Sequence, residues 1–179
     1  QTQNLLSVFL VAPSKEYVLR DKYPIKTLKN TPLQQIEKIS PPEFNLLSLT
    51  DTLKRSPRNT FRVCDTHWNS HGAMLASIEL CVNLGISRKS LLELFSKDSY
   101  PKKEVGGDSG NKLFPPQTYL EEILTNFNYR NNLVYDNGLP NFGRTMFTYN
   151  HNALLDETLL LFGSSSSYSM FNYLSRVFY

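Results

Sequence analysis

The amino-acid sequence predicts an α/β fold in which a mainly parallel β-sheet is flanked by helices. Short apolar runs of strand length alternate along the chain with segments of helical character, which is typical of this class. The runs are apolar at successive positions, as strands buried on both faces of a sheet are. Polar segments at 64–68 and 163–167 each follow a predicted strand, and ligands of parallel sheets bind at the carboxyl ends of the strands.

The first part of the chain contains two predicted strands and two predicted helices. Residues 5–12 (LLSVFLVA) and 44–49 (FNLLSL) are apolar runs of strand length. Between them, Thr31-Pro32 opens a helix with proline at its first position, and a Pro-Pro pair ends it. A short helix is predicted over residues 50–55.

A third strand and a longer helix follow. Residues 60–64 (TFRVC) form the strand, which leads directly into a polar segment. Asn69 or Ser70 can cap a helix that runs to Asn83, and Gly85 is a plausible stop. This order of elements continues the alternation of strand and helix.

The next segments are predicted to be short helices and surface loops. Ser90 with Glu93, and Thr118 with Glu121, have the spacing of capping boxes and so predict two helix starts. The segments 98–117 and 128–152 are rich in Gly, Pro, Asn and Asp, which indicates loops. Within the second of them, Asp-Asn-Gly at 136–138 predicts a turn and a possible hairpin tip.

The last predicted strand lies close to the end of the chain. Residues 158–162 (TLLLF) form a short apolar run, followed by Gly163 and a run of serines. An amphipathic stretch over 168–177 then predicts a helix. Strand, turn and helix therefore follow one another without a gap.

Composition and charge limit the classes of function. With 179 residues, of which 40% are hydrophobic and 20% charged, the chain has the composition of one globular domain. The net charge is only +3 and the basic residues are scattered, so we expect no nucleic-acid partner. No apolar run approaches the ~20 residues that span a bilayer. Cys64 and Cys81 can pair, although two free, buried thiols are the simpler interpretation.

We interpret both ends of the chain as cuts inside a longer protein. The sequence begins with Gln1 rather than Met, and no basic-then-apolar signal segment is present. We therefore expect residues 1–179 to form a single but partial domain, whose targeting segment lies outside this sequence.

The segment CDTHWNSHGA at 64–73 places Asp65 two residues before His67. Three interpretations are open. His67 and His71 have the spacing of helical metal ligands, but Asn69 indicates that the helix starts after His67, so we expect no metal. The pair can be purely structural. It can also supply the acid and the base of a catalytic triad.

A triad requires a serine nucleophile on a sharp turn beside the histidine. Asp65 can accept a hydrogen bond from Nδ1 of His67 and leave Nε2 free to take the serine proton. Ser109, in Gly-Asp-Ser-Gly, follows a polar segment without a strand. Gly-Ser-Ser at 163–165 follows the predicted strand at 158–162 and precedes a helix, as a nucleophile elbow does. We favour this second block, although a serine run can also be a linker or a cap.

Four segments together resemble the alginate O-acetyltransferase branch of the SGNH-like acyltransferases, and they span most of the chain. They are VFLVAPSKEYVLRDKYP at 8–24, CDTHWNSHGA at 64–73, GGDSGNKL at 106–113 and LLLFGSSSSYS at 159–169. The Asp-Thr-His-Trp segment is the most specific. The order of the segments also fits this branch, because ordinary SGNH hydrolases have the serine block first and an Asp-x-x-His last.

The resemblance implies an SGNH-hydrolase-like (flavodoxin-like) fold with a Ser-His-Asp triad. On the matching positions, Ser165 would be the nucleophile, His67 the base and Asp65 the acid. The segment at 106–113 matches one that does not carry the nucleophile. Ser164 and Cys64 depart from the pattern, which has Asp or Thr at the first position and Thr at the second. The family also continues with further strands beyond the point where this chain ends.

The resemblance further implies transfer of acetyl groups, through an acyl-enzyme, to hydroxyls of an exported or cell-envelope polysaccharide. It implies a location in the periplasm or at the cell surface, and a membrane acyltransferase partner that relays the acetyl group. The triad requires no cofactor. We expect Trp68 and Tyr168 to bind substrate, with the alternative that Trp68 is a packed indole that holds the histidine loop. A carbohydrate acetyl esterase and a non-catalytic polysaccharide-binding module remain alternatives.

Overall fold

The computed structural model of the protein, which describes residues 6–24, 31–140 and 143–179, contains helices and three small sheets. Each sheet has two strands, one pair parallel and two antiparallel. The pairs are β1 (Phe9–Val11) with β2 (Leu46–Ser48), β3 (Lys102–Val105) with β4 (Tyr119–Glu122), and β5 (Leu133–Asp136) with β6 (Met146–Thr148). The mixed α/β class predicted from the sequence is confirmed.

The helices lie between and after these strands. The described residues form α1 (Lys15–Val18), α2 (Pro32–Ile39), α3 (Thr50–Arg55), α4 (Ser70–Asn83), α5 (Arg88–Phe95) and α6 (Phe171–Val177). They also form 3₁₀ helices at Arg20–Lys22, Gly110–Lys112, Tyr129–Asn132 and Ser165–Met170. The longest helix, α4, contributes Ala73, Ala76 and Ile78, each fully buried, to the hydrophobic core.

The helix starts follow from local capping chemistry. Thr31 accepts a hydrogen bond from the N–H of Gln34, whose side chain accepts one from the N–H of Thr31, so α2 begins with a capping box and a proline. Asn69 caps α4 by accepting from the N–H of Gly72 at 2.9 Å. Just after α4, Gly85 has φ +91°, a conformation that side-chain-bearing residues rarely adopt. These boundaries confirm the predicted helices at 31–40 and 69–83.

Of the expected mainly parallel sheet, the described residues show one parallel strand pair, β1 with β2, and an isolated parallel bridge between Leu155 and Phe178. The predicted strand at 5–12 is reduced to β1, and residue 5 lies outside the described residues. Residues 60–64 form no strand. The chain turns back there so that Phe61 bridges Trp68, with the N–H of Asn69 donating to Thr60 O at 3.0 Å.

Residues 158–162 also form no strand in the structure. Leu159 and Leu161 pack against the core, whereas Leu160 and Phe162 are 75% and 88% exposed. Apolar side chains along the segment therefore alternate between packed and exposed positions. Its consecutive apolar residues predicted burial on both faces, and the exposure of Leu160 and Phe162 contradicts this.

The two capping-box predictions further along the chain are corrected as well. The residue that caps α5 is Ser87, which accepts from the N–H of Ser90. Glu121 lies in β4 of an antiparallel strand pair, and Thr118 directly precedes that strand, so no helix starts there. The Thr118 hydroxyl donates to Glu104 across that pair, and Glu121 is buried, accepting from the N–H of Val63 at 2.5 Å. By contrast, the turn predicted at 136–138 is confirmed as part of the hairpin between β5 and β6.

Both cysteines are free thiols with very different surroundings. Cys64 is partly exposed, whereas Cys81 is buried in α4 and its burial raises the pKa of the thiol to about 12. A thiol with so high a pKa is almost never the reactive thiolate near neutral pH. We therefore expect Ellman's reagent at pH 8 to titrate one thiol in the native protein and two after unfolding in guanidinium chloride. If no thiol titrates in the unfolded protein in the absence of reducing agent, the two cysteines are paired instead.

Candidate active site

The Asp-x-His segment forms a tight turn directly before α4. The turn is closed by a hydrogen bond from the N–H of Arg62 to His67 O at 3.1 Å. Inside it, Asp65 Oδ1 accepts from the N–H of His67 at 2.9 Å and lies 2.6 Å from Nδ1 of the same residue. One carboxylate oxygen thus fixes both the backbone and the imidazole of His67. Nε2 is left to face outward.

Ser165 lies on the outer side of that imidazole. It is the first residue of the 3₁₀ helix Ser165–Met170, and its Oγ is 2.8 Å from Nε2 of His67, although the two residues are 98 positions apart. Asp65, His67 and Ser165 therefore form one continuous chain of hydrogen bonds. This is the arrangement predicted for a triad. The residues do not follow strand ends, however, although the sequence predicted that they would.

Trp68 joins the histidine turn to the serine segment. Its indole N–H donates to Ser166 O at 2.9 Å and to Ser169 Oγ at 2.7 Å. Trp68 as a whole is only 3% exposed, so almost none of it is open to a sugar. Of the two roles left open for Trp68, these contacts favour the packed indole.

Ser109, the serine of the Gly-Asp-Ser-Gly segment, has different contacts from Ser165. Ser109 Oγ donates to Asp108 Oδ1 at 3.0 Å, while Nε2 of His67 is engaged by Ser165. Ser109 lies on the loop between β3 and β4, directly before the 3₁₀ helix Gly110–Lys112. The polar segment before it, which was predicted to be a loop, contains the largely exposed strand β3, so that part of the prediction is wrong. The geometry therefore selects Ser165 as the candidate nucleophile.

Two carboxylates lie beside His67 in this site. Burial acts to raise the pKa of Asp65, but hydrogen bonds from the backbone and ring of His67 oppose this and hold it below its ordinary value of 3.8. Desolvation likewise acts to raise the pKa of Asp108, but hydrogen bonds from Thr66 and Ser109 lower it to about 2. Both groups are therefore carboxylates at neutral pH. Arg62 balances part of this charge, with Nη1 3.3 Å from Asp65 Oδ2.

A cleft of about 420 Å³ opens beside the serine, within the usual size range of small-ligand sites. Besides His67 and Ser165, its walls include Arg62, Ile123, Leu124, Tyr168 and Asn172. Tyr168, one of the two expected substrate-binding residues, is partly exposed on this wall, with the guanidinium of Arg144 5.9 Å from its ring centre. An acyl donor in the cleft would therefore meet the serine hydroxyl and both apolar and cationic surface.

The residues whose atoms could bind a metal ion differ in part from the pair considered in the sequence analysis, His67 and His71. Asp65, His67 and Asp108 offer ligand atoms within 4.8 Å of one another. Two of these residues already bond to each other through Nδ1 of His67 and Oδ1 of Asp65. His71 lies inside α4, with Nε2 3.1 Å from Ser56 Oγ, and burial lowers its pKa. The helix does begin after His67, as the sequence indicated.

Three residues at the site were not identified from the sequence as functional. They are Lys15, Arg62 and Asp108. Lys15 Nζ donates to Val63 O at 2.9 Å and to Asp65 O at 3.0 Å, so it supports the turn from the side of α1. The available signals were the Pro-Ser-Lys at 13–15 and the Gly-Asp at 107–108, both in segments quoted for the resemblance.

Comparisons with models of protein families, with curated proteins and with solved structures gave no match for this chain. Separately, none of the helices in the described ranges combines the length and the apolar character needed to cross a membrane.

A Trp68→Phe variant separates the two roles considered for this residue. Phenylalanine keeps an aromatic face but removes the N–H, which leaves Ser166 O and Ser169 Oγ without their buried donor. We expect a loss of about 1–3 kcal/mol in unfolding free energy. For the acetyl transfer that the resemblance implies, we expect a lower kcat with the KM for an acceptor oligosaccharide unchanged. Chemical denaturation and steady-state kinetics measure both. A higher KM with unchanged kcat and stability would show that the indole stacks on substrate instead.

Proposed function

We propose that the protein is an O-acetyltransferase that moves an acetyl group through an acetyl-enzyme on Ser165 to hydroxyls of an exported or cell-envelope polysaccharide. One observation carries the proposal. Asp65 Oδ1 is 2.6 Å from Nδ1 of His67, and Nε2 of the same ring is 2.8 Å from Ser165 Oγ. A carboxylate, an imidazole and a hydroxyl in this order are the machinery of serine-dependent acyl transfer.

In the first half of the reaction Ser165 Oγ attacks the acetyl carbonyl carbon of a donor. His67 takes the hydroxyl proton on Nε2, and Asp65 stabilises the imidazolium through Nδ1. We assign the backbone N–H of Ser165 as a donor to the oxyanion that forms. When this intermediate collapses, the bond between the acetyl carbon and the leaving group breaks. The leaving group takes the proton from Nε2, and an ester on Ser165 remains.

The second half repeats these steps with an acceptor hydroxyl. The hydroxyl oxygen attacks the acetyl carbon, and its proton moves to Nε2 of His67. The bond to Ser165 Oγ then breaks, and the proton on Nε2 returns to that oxygen. The acetyl group leaves as an ester of the acceptor and the enzyme is regenerated, without an added oxidant, reductant or cofactor.

The choice of acceptor rests on the resemblance of four segments to the alginate O-acetyltransferase branch. The same resemblance supports an SGNH-hydrolase-like fold, a periplasmic or cell-surface location and a membrane acyltransferase that supplies the acetyl group. The parallel pairing of β1 with β2 is compatible with that fold. Tyr168, on the wall of the cleft beside Ser165, is the residue we assign to contact the substrate.

A carbohydrate acetyl esterase is the second candidate, favoured by the exposure of Ser165. Water can reach an ester on an exposed serine as readily as a sugar hydroxyl can. Esterase and transferase share every step up to the acetyl-enzyme and differ only in the second nucleophile.

The test is to incubate the full-length protein with a chromogenic acetyl ester, with and without acceptor oligosaccharides, and to analyse the oligosaccharides by mass spectrometry. We expect ester turnover in both cases and acetylated oligosaccharide in the second. Release of acetate alone, whatever the acceptor, would establish the esterase. Oligosaccharide binding without any ester turnover would contradict both and identify a binding module.

A further inference from the structure

A second carboxylate, that of Asp108, contacts the turn that carries the triad acid and base. Its Oδ1 accepts from the N–H of Thr66 at 2.9 Å, and its Oδ2 accepts from the Thr66 hydroxyl. Thr66 is the residue between Asp65 and His67. Asp108 therefore binds the middle of the Asp-x-His turn through two bonds, although it lies 42 positions further along the chain.

The contact between the two segments is reciprocal. While the Asp108 side chain binds Thr66, the Asp108 N–H lies 3.4 Å from Oδ2 of Asp65 and points to it. The neighbouring Gly110 N–H donates to Cys64 O at 2.9 Å. The turn is thus held at residues 64, 65 and 66 by a single short loop.

The loop fits the turn closely enough to require glycine. A Cβ on Gly107 would lie 2.6 Å from Asp65 Cβ and 2.7 Å from Asp65 Oδ2, and it would overlap Cys64 O. A Cβ on Gly110 would lie 2.9 Å from Cys64 Cβ. Contacts this short do not occur with real side chains, so the backbone of the loop packs directly on the triad acid.

The charge of Asp108 also faces the reacting imidazole. Asp108 Oδ2 is 4.0 Å from Nδ1 of His67, on the side where Asp65 already binds. The nearby cations, Arg62 and Lys15, are bonded to Asp65 Oδ2 and to backbone carbonyls. An imidazolium formed when His67 takes a proton would therefore lie next to two carboxylates.

We propose that Asp108 is a positioning residue, which clamps Thr66 and so holds the His67 ring with Nε2 directed at Ser165. This inference rests on the proposed acyl transfer. Asp108 itself touches no reacting atom and acts through Thr66 and the turn.

The test compares Asp108→Asn with Thr66→Val and Thr66→Ser. Asparagine keeps the size of Asp108 but not its charge or its second acceptor oxygen. We expect Asp108→Asn to lower kcat by about 10- to 100-fold with KM unchanged, because a misdirected base slows the proton transfer without affecting substrate binding. Thr66→Val should act in the same direction, and Thr66→Ser, which keeps both donors, should restore nearly the parental kcat.

A spectroscopic readout makes the inference testable apart from the reaction. The His67 Nδ1–H, bonded to Asp65, should give a downfield proton resonance, identified by its absence from a His67→Gln variant. We expect Asp108→Asn to broaden or abolish this resonance. Asp51→Asn is the matched control, because Asp51 is an exposed carboxylate that pairs with Arg55 on α3.

The outcomes distinguish this inference from the proposed function. Parental kcat and an unchanged resonance in Asp108→Asn would overturn the positioning role while acyl transfer stands. If the parental protein transfers no acetyl group, the proposed function fails, and the resonance alone decides whether Asp108 holds His67. Should Asp108→Asn not fold, as judged by circular dichroism, Thr66→Val and Thr66→Ser provide the same comparison with the carboxylate intact.

Discussion

Replacing Ser165 with alanine is expected to abolish acetyl transfer and the covalent acetyl-enzyme together. The Oγ removed by this change is the atom that we propose carries the acetyl group. We expect kcat to fall by about 10⁶-fold, the size of loss seen when a triad nucleophile is removed. Ser165 is exposed, and the contact that the change removes is the one between its Oγ and His67. The change should therefore leave the fold and the binding of oligosaccharide intact.

Ser109→Ala is the matched control for this variant. Ser109 is a serine in a Gly-Asp-Ser sequence, but its hydroxyl bonds to Asp108 and not to His67. The Ser109→Ala variant should therefore keep most of the activity. If Ser165→Ala acetylates at the parental rate, the triad interpretation is wrong, and if Ser109→Ala is the inactive variant, the nucleophile has been assigned to the wrong segment.

Replacing His67 with alanine is expected to be nearly as severe, with kcat lowered by about 10⁶-fold. A serine hydroxyl without a base is a poor nucleophile at neutral pH, since its proton has no acceptor. The loss should appear in the pre-steady-state formation of the acetyl-enzyme as well as in turnover. Stopped-flow absorbance with a chromogenic acetyl ester measures both.

His71→Ala is the control, because this second imidazole lies four residues away inside α4 and bonds to Ser56. We expect it to retain activity. Equal losses in the two variants, accompanied by stoichiometric zinc in the parental protein that His71→Ala releases, would favour the metal-site interpretation over the triad.

The parts of the fold that the sequence predicts well depend on local chemistry. The start of α4 follows from the side chain of Asn69, and its end from Gly85 with positive φ. The pairing of Asp65 with His67 is local too, because the two residues are separated by one position. Ser165, 98 positions from His67, is predicted from the strand–turn–helix pattern around it and from the resemblance, although the strand in that pattern is absent from the structure.

The parts that the sequence does not predict depend on long-range contacts. Residues 158–162 have the composition of a doubly buried strand, yet Leu160 and Phe162 are exposed, since burial depends on what covers each face. Thr118 and Glu121 have the spacing of a capping box but lie in β4 and the residue before it, where they contact Glu104 and Val63. Spacing alone does not distinguish a helix start from a strand whose side chains have distant partners.

The contacts that hold the site in place were the hardest to foresee. Trp68 is the only tryptophan, and its position after His67 suggested either a sugar platform or a packed ring. Only its bonds to Ser166 and Ser169, about a hundred residues away, show that it ties the serine segment to the histidine turn. The hydrogen bonds between Asp108 and Thr66 are also long-range, because the two residues are 42 positions apart and no local sequence pattern connects them.

The most direct test of the proposed acyl transfer is to look for an acetyl group on the protein. The full-length protein is mixed with a chromogenic acetyl ester, quenched in acid within milliseconds to seconds, digested and analysed by tandem mass spectrometry. Proposed acyl transfer predicts acetyl on Ser165, absent from Ser165→Ala and discharged when an acceptor oligosaccharide is added before the quench. Ester turnover at the parental rate with no acetyl on Ser165 at any time point, or with acetyl on another residue, would contradict it.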